Sequence, residues 1–277
     1  MTFLYFSKNG ELLPLSDAVM PLQNIAYQYG FGVYETLKVR KKVLYFVKQH
    51  VERLLHSARI IGLTHIYNAK TIIQYIQDVI EKNDSENCNI KMLLIGGKKP
   101  EEATLFILPL APLFPDRKLY SHGATAETVQ HERFLPHAKT LNMLASYLYY
   151  TQAQKKGHYD VIFVDKKGDI LEGSRTNFFV IKDNVIITPP KKKILEGVTR
   201  QTVIAAAKKG GFAVQEKNIP LDTLKKFDGA FLTSTSTKIV PLIQIDSFRY
   251  SFISPKLKEL MRLYDTFLEA SKGKCNY

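Results

Sequence analysis

The feature that most constrains the fold is a series of short apolar runs, rich in β-branched and aromatic residues, in the middle of the chain. The runs cover Asp160–Val164, Thr176–Ile181 and Val185–Thr188. Runs of this length, bounded by turn-forming residues, are typical of buried strands rather than helices. The sequence also contains 16 Phe and 15 Tyr, which is ample material for packed sheets, so we expect a sizeable core.

Helical patterns alternate with these runs. In QHVERLLHSARIIGL the residues Val51, Leu54 and Ala58 fall on one helical face, and Gly62 ends the pattern. Further helices are predicted at 69–82, 140–156, 198–209 and 255–272. Further strands are predicted at 34–39 and 43–47, which form a hairpin, and at 90–95, 104–110, 124–130, 212–216, 229–233 and 239–245. This mixture of hairpins and packed helices indicates an α+β protein of two lobes.

A candidate boundary lies in APLFPDRKLYSHG, residues 111–123, which has two prolines, a glycine and a cluster of charges. We expect a smaller N-terminal α+β lobe over 1–115, a linker over 116–123, and a larger C-terminal lobe over 124–277 that carries Lys139.

The chain is strongly basic, with a net charge of +13. Six lysine doublets are scattered along the chain at turns or helix ends, and the densest run, Lys191–Lys193, follows two prolines in a loop. Scattered charge favours a solvated surface over a nucleic-acid-binding stripe, so no nucleic-acid partner is expected. The charge is also suited to attracting anionic substrates.

Several other classes of protein are not favoured. No apolar run approaches the roughly 18 residues of a membrane-spanning helix, and the N-terminal FLYF is interrupted at once by Ser7, Lys8 and Asn9. The two cysteines, Cys88 and Cys275, show no metal-ligand spacing. We therefore expect a cytoplasmic protein with no membrane association and no metal site.

Two stretches could bind an anion. ILEGVTR passes from an apolar strand through Gly197 into a helix beginning at Val198 and Thr199. A helix N-terminus presents unpaired N–H groups and a positive dipole end, which suit phosphate. LTSTST supplies hydroxyls around Thr235 directly after a strand. Such a loop can equally be a turn whose hydroxyls bond to its own backbone.

Two ionisable residues complete a pattern. Lys139 lies in HAKTLN between a strand and a long apolar helix, and Glu172 lies in LEGSRTNFF just before an apolar strand. A surface lysine and an edge-strand glutamate are the ordinary alternatives. Together with an anion cradle, however, an amine and a carboxylate meet the three demands of pyridoxal 5'-phosphate: an amine for its aldehyde, an acidic partner for its ring nitrogen and donors for its phosphate.

A family resemblance connects these features. KTLNMLASYLYYTQAQKKG, ILEGSRTNFFVIKDN, ILEGVTRQTVI, FLTSTSTKIVPL and YQYGFGVYETLKV resemble the class IV, or fold type IV, pyridoxal-phosphate aminotransferases. That family includes branched-chain aminotransferases, D-amino-acid aminotransferases and aminodeoxychorismate lyase. The resemblance covers nearly the whole chain. It implies a two-lobed fold like that of D-amino-acid aminotransferase, with the cofactor between the lobes, and a homodimer.

The resemblance also implies a role for each matching residue. Lys139 matches the catalytic Schiff-base lysine and Glu172 the partner of the ring nitrogen. The expected phosphate-binding residues are Arg53, Val198, Thr199 and Thr235. Tyr34, Lys91 and Ser236 are expected on the substrate side.

The substrate follows less directly. D-amino-acid members place an arginine and a histidine after the mid-domain strand, where this chain has Gly96-Gly97-Lys98-Lys99, and branched-chain members often have an arginine where this chain has Lys91. Lyase members tend to have a polar residue where this chain has Met143. We expect transfer from a hydrophobic, branched-chain L-amino acid to 2-oxoglutarate by a ping-pong mechanism. D-amino-acid transamination and aminodeoxychorismate cleavage remain alternatives, and a basic binding protein that has lost catalysis is a remote one.

Overall fold

The computed structural model describes residues 3–21, 23–112 and 114–271, and the chain divides into two compact units. The first contains the described part of Met1–Leu113, together with Ala138–Asn142 and Ser271; the second contains Phe114–His137 and Met143–Ala270. This division differs from the boundaries expected from the sequence, because Lys139 belongs to the first unit. Cys275 and Lys272 lie outside the described residues.

The first unit is built on a six-stranded antiparallel sheet with strand order β2-β1-β6-β5-β3-β4. Its strands are β1 (Tyr5–Lys8), β2 (Glu11–Pro14), β3 (Gly32–Arg40), β4 (Val43–Leu44), β5 (Asn87–Ile95) and β6 (Thr104–Leu110). The predicted hairpin is β3 and β4, whose turn residues Lys41 and Lys42 both adopt positive φ angles. That conformation matches the twist of a two-residue hairpin.

Two helices, α2 (Val47–Ile60) and α3 (Ala69–Lys82), supply the apolar core on one face of this sheet. Helix α3 has the predicted bounds, since Asn68 caps its start by accepting a hydrogen bond from the N–H of Thr71 at 3.0 Å. A short helix, α1 (Ile25–Gln28), and 3-10 turns at Leu15–Asp17 and Pro100–Glu102 complete the unit.

The second unit contains a nine-stranded sheet in which β9 pairs with both β8 and β10, so that six strands close into a barrel in the order β10-β13-β14-β7-β8-β9. Its strands are β7 (Ala124–Gln130), β8 (Asp160–Val164), β9 (Ile170–Gly173), β10 (Asn177–Lys182), β11 (Val185–Thr188), β12 (Ala213–Glu216), β13 (Gly229–Ser234), β14 (Lys238–Ile245) and β15 (Phe248–Arg249). Small residues such as Ala124, Ala126 and Ala230 lie in one of its cores.

Helices α6 (Val198–Lys209) and α7 (Pro255–Ser271) supply a second core in this unit, where the rings of Phe179 and Phe231 stack with centroids 4.9 Å apart. The remaining helical segments are α4 (Lys118–Ser121), α5 (Leu144–Lys155) and 3-10 turns at Lys191–Lys193 and Leu221–Lys226. The sheets are largely antiparallel and the helices pack separately, which confirms the α+β class.

The predicted helix over 140–156 starts too early. Helix α5 begins at Leu144, because Thr140 instead forms an antiparallel bridge with Val33 of β3. Strands β1, β2, β9 and β15 were not predicted, and β9 carries Glu172. The segment 116–123, expected to be a linker, contains helix α4.

Candidate cofactor and substrate site

The backbone around Lys139 is fixed by two hydrogen bonds to β3 and one to helix α2. The Lys139 carbonyl accepts from the N–H of Tyr34 at 2.9 Å, and the Lys139 N–H donates to Ser57 Oγ at 3.1 Å. The N–H of Leu141 donates to the Gly32 carbonyl at 3.0 Å. A Cβ on Gly32 would lie 2.9 Å from Leu141 Cδ1, so the glycine permits this close approach. The backbone of the lysine is therefore held in place.

The side chain of Lys139 lies against Tyr34. Its Nζ donates a hydrogen bond to Tyr34 Oη at 3.3 Å and lies 4.4 Å from the centroid of the tyrosine ring. The Nζ of Lys91 lies 5.8 Å from the same centroid. Ammonium groups are attracted to the face of an aromatic ring at such distances. The structure thus brings together Lys139, Tyr34 and Lys91, three of the residues singled out in the sequence.

Arg53 is held by a buried carboxylate. Its Nε donates to Glu35 Oε1 at 2.5 Å and its Nη2 donates to Oε2 at 3.0 Å. Glu35 is fully buried and also lies 2.9 Å from His50 Nδ1. Burial alone would raise the pKa of Glu35, but the charge of Arg53 and the contact with His50 together hold it well below its usual range. Glu35 is therefore a carboxylate at neutral pH.

Glu172 lies on β9 in the second unit and is also buried. Its Oε2 accepts hydrogen bonds from the N–H of Leu195 at 3.2 Å and from Asn177 Nδ2 at 3.4 Å. Its Oε1 lies 3.0 Å from Arg133 Nε in an ion pair, although the Nε–H is aligned too poorly for a hydrogen bond. Arg133 Nη2 donates to the carbonyl of Ser174 at 2.7 Å. The buried charge of Glu172 is thus compensated.

The turn that follows Glu172 is organised by another buried carboxylate. Asp160 accepts hydrogen bonds from Ser174 Oγ at 2.5 Å and Thr176 Oγ1 at 2.8 Å. Burial raises the pKa of Asp160, while these hydrogen bonds oppose the rise. A Cβ on Gly173 would overlap Thr176 Oγ1, so the tight turn requires glycine. The turn connects β9, which carries Glu172, to β10.

Helix α6 starts as the sequence predicted. Gly197 is its N-cap, and no side chain caps the first turn, so backbone N–H groups there are suited to an anion. Thr199 Oγ1 lies 3.5 Å from Thr235 Oγ1, and Val198 is buried beside them in the first turn. The structure therefore brings together Val198, Thr199 and Thr235.

The loop that carries Thr235 and Ser236 is supported from behind by hydroxyl groups. Thr237 Oγ1 lies 2.7 Å from Ser234 Oγ and 2.9 Å from Tyr159 Oη. Burial raises the pKa of Tyr159 to about 12, so its hydroxyl stays neutral. Thr235 and Ser236 themselves are half-buried at the tip of the turn. These contacts hold the tip without using the hydroxyl of either residue as the support.

Sequence reasoning missed the residues that hold the site: Glu35, His50, Arg133, Asn177 and Asp160. One signal was available for Glu35, because it lies on the same face of the strand as Val33, Leu37 and Val39, which are all buried in the core. A charge on the apolar face of a strand is unusual and implies a partner. For Arg133 there was no comparable local signal, since it lies in the irregular segment before Lys139.

Two further observations concern the described residues alone. Within residues 3–21, 23–112 and 114–271, no group of three or more His, Cys, Asp or Glu side chains is placed to hold a metal ion. In the same part of the chain, every helix is too short or too polar to cross a membrane.

Comparisons with known proteins agree on one family. Residues 32–245 match the family model described as amino-transferase class IV. A putative branched-chain-amino-acid aminotransferase from Methanocaldococcus jannaschii is 28% identical over 267 residues, covering 91% of this chain and 93% of the relative. A D-alanine aminotransferase from Staphylococcus epidermidis is 30% identical over 250 residues, covering 86% and 88%.

A solved structure is similar over almost the whole chain. The T.th. branched-chain amino acid aminotransferase with pyridoxamine 5'-phosphate superposes with a TM-score of 0.89 at 26% identity, covering 99% of this chain and 95% of that one. The likeness extends over both compact units.

Proposed function

The chain belongs to the class IV amino-transferase family, and from this premise we propose that it transfers the amino group of a branched-chain L-amino acid to 2-oxoglutarate with pyridoxal 5'-phosphate as cofactor. The observation that carries the proposal is the Lys139 amine, held on a fixed backbone within 3.3 Å of the Tyr34 hydroxyl. An amine with a fixed position and a polar neighbour is what a Schiff-base and proton-transfer lysine needs.

The residues present fit this cofactor. Lys139 offers the amine and Glu172 offers a buried, charge-compensated carboxylate for the ring nitrogen. Arg53, Val198, Thr199 and Thr235 are assigned to the phosphate, for which two hydroxyls 3.5 Å apart at an uncapped helix start are suitable. When bound, pyridoxal phosphate supplies an electron sink for the bond being broken at the substrate α-carbon.

The residues of the chain then have separate tasks. Lys139 Nζ removes the proton from the substrate α-carbon and later returns a proton, as a general acid and base. Tyr34 Oη keeps that amine in place between the two transfers. Glu172, paired with Arg133, holds a proton on the ring nitrogen. The amino acid and the keto acid use the same residues in turn, so we expect ping-pong kinetics.

The choice of donor rests on the relatives. The Methanocaldococcus relative and the T.th. enzyme of known structure are named for branched-chain amino acids. D-alanine transamination is the second candidate, because the Staphylococcus relative, at 30% identity, is named for it. Lys91, near the Tyr34 ring, is assigned to a carboxylate of the substrate, and Ser236 to the substrate side of the Thr235 loop. Aminodeoxychorismate cleavage is the third candidate function.

We also propose a homodimer. Helix α5 exposes Leu144, Tyr147 and Leu148, with exposed fractions of 69%, 64% and 48%, and nearby in sequence Phe134 is 84% exposed. The spacing of the three helical residues makes one continuous apolar face, and exposed apolar patches often mark protein interfaces. A second copy of the chain is the partner that we expect on this face. The cytoplasmic location expected from the sequence stays a prediction.

The absorption spectrum of the purified protein, reconstituted with pyridoxal phosphate, tests the proposal. A visible band that L-leucine bleaches and D-alanine does not would support it, and 2-oxoglutarate should restore the band. Bleaching by D-alanine alone would support the second candidate. Lys139→Ala should lose the band. Lys91→Ala, the control at a neighbouring lysine, should keep it. A wild-type protein without a band would refute cofactor binding.

A further inference from the structure

Glu35 is a charged residue in the middle of an apolar layer. It lies on β3 between Val33 and Leu37, faces the core supplied by α2 and α3, and is fully buried. Burying a carboxylate is costly unless it is paired and hydrogen-bonded. An apolar side chain would continue the pattern of the strand at this position. The residue therefore serves a purpose other than filling the core.

Among the described residues, the side chain of Glu35 has partners on helix α2 and on its own strand. Arg53 Nε and Nη2 donate to its two oxygens at 2.5 and 3.0 Å, and His50 Nδ1 lies 2.9 Å from Oε2. The Thr36 N–H adds a contact at 3.2 Å. His50 and Arg53 are three residues apart, so they project from the same side of the helix. One carboxylate thus binds two residues on the same side of the helix that carries Arg53.

The protonation of this cluster follows from the surroundings. Burial lowers the pKa of His50, and the nearby charges of Arg53 and Lys139 lower it too, against the opposing effect of Glu35. His50 is therefore neutral at pH 7. A carboxylate only accepts hydrogen bonds, so the proton of the neutral ring must be on Nδ1 and point to Glu35. The charge balance is one carboxylate against one guanidinium.

This arrangement fixes the plane of the guanidinium. A bidentate contact with a carboxylate uses two of its five N–H donors and sets the direction of the others. An arginine without that contact would retain the freedom of a long side chain. His50 in turn limits the movement of the Glu35 carboxylate. The orientation of Arg53 is therefore determined before any ligand binds.

We propose that Glu35 is a positioning residue, which holds the Arg53 guanidinium in the orientation that binds the phosphate of the cofactor. The inference rests on the proposed function, because it assumes that Arg53 binds that phosphate. Glu35 acts only through Arg53. Its removal should therefore weaken the binding of ligands that have a phosphate and leave the binding of the pyridoxal ring unaffected.

The experiment compares the apparent dissociation constants of pyridoxal 5'-phosphate and pyridoxal, measured by absorption titration of the apoprotein. The dissociation constant of pyridoxal divided by that of pyridoxal 5'-phosphate measures how much the phosphate contributes to binding. In Glu35→Gln we expect this ratio to fall about tenfold, by analogy with the loss of affinity of about tenfold or more when a residue that orients a metal ligand is removed. In Arg53→Met the ratio should fall further, and adding Glu35→Gln to Arg53→Met should change it no more.

Tyr67→Phe is the matched control. Tyr67 Oη lies 2.7 Å from Asn9 Oδ1 and 3.0 Å from the Ala103 carbonyl in the same unit, so its one hydroxyl hydrogen is donated to one of these oxygens. Its loss removes a buried hydrogen bond that does not involve Arg53, so the protein should be less stable while the ratio stays unchanged. If Glu35→Gln does not fold, Glu35→Asp is used to test the proposal instead. It keeps the charge but is one methylene too short to reach both Nε and Nη2 of Arg53. Its ratio should also fall.

The outcomes separate the two claims. If wild-type protein does not bind pyridoxal phosphate, the proposed function fails. If wild-type protein binds it and the Glu35 variants keep the wild-type ratio, or lower it equally with and without Arg53, the function stands and the positioning role is refuted. A drop of the same size in Tyr67→Phe would also refute it, because general destabilisation would then explain the effect.

Discussion

Gly197 should not tolerate a side chain, although its backbone is ordinary. It adopts φ −64° and ψ 136° as the N-cap of α6, a conformation open to any residue. A Cβ there, however, would overlap Asn177 Oδ1. Asn177 cannot simply rotate away, because its Nδ2 donates to the Leu195 carbonyl at 2.8 Å and to Glu172 at 3.4 Å. Gly197→Ala must therefore break this buried hydrogen bond.

The magnitude follows from what the displaced amide leaves behind. The lost hydrogen bond is worth about 1 kcal/mol, and a buried carbonyl left without a partner costs about 1–3 kcal/mol. The lower entropy of the unfolded chain returns about 0.4–1 kcal/mol on replacing glycine by alanine. The net destabilisation is about 2 kcal/mol, which for a unit of this size lowers the Tm by roughly 4–8 °C. Affinity for pyridoxal phosphate should fall as well, since the start of α6 and a Glu172 partner both move.

Thermal unfolding of the apoprotein and a cofactor titration measure both effects. Gly229→Ala is the control: its Cβ would meet only Ile181 Cγ2, at 3.5 Å, and two other side chains at longer, ordinary contact distances, and it should be neutral or slightly stabilising. Asn177→Ala removes the overlapping oxygen. Gly197→Ala should therefore cost little in the Asn177→Ala background, and strictly additive losses would refute the steric reasoning.

Three other results are expected. Lys91→Met should raise the KM for 2-oxoglutarate about fivefold, since about 1 kcal/mol is typical of a partly exposed charge pair; steady-state kinetics test this. Folding lowers the pKa values of both His50 and Glu35, so the unfolded chain takes up protons at these groups before the folded protein does. The free energy of unfolding should therefore fall as the pH drops below about 6.5, and fall again as the pH drops below the unfolded pKa of Glu35. His50→Asn should flatten the upper part of this fall in Tm. Leu148→Glu should convert a dimer to a monomer in sedimentation experiments.

Local sequence patterns were sufficient to predict those helices and strands that are determined by their own residues. Helix α3 matched its predicted bounds because its apolar spacing and its Asn68 cap agree. The prediction of a helix directly after Lys139 was wrong for the opposite reason. Its sequence suits a helix, but Thr140 is bound to Val33 of β3, and such a distant contact overrides local propensity. Lys139 therefore lies beside a bridge to β3 rather than at a helix start.

The same distinction applies to the candidate site. The family resemblance identified residues of the type that could bind a cofactor, because each belongs to a short recognisable stretch. The residues that hold them are long-range partners: Tyr34 and Lys139 are 105 positions apart and Glu35 and Arg53 are 18 apart. Each contact exists only once the sheet has formed.

The partners also differ from the binding residues in chemistry. Glu35 and Asp160 are buried carboxylates whose oxygens are occupied by protein donors, so neither is arranged to meet a ligand directly. A residue that touches a cofactor is recognised by what it offers, whereas a residue of this kind is recognised by a charge where burial alone would select an apolar side chain. That criterion requires the fold, because only the fold shows that Glu35 faces the core.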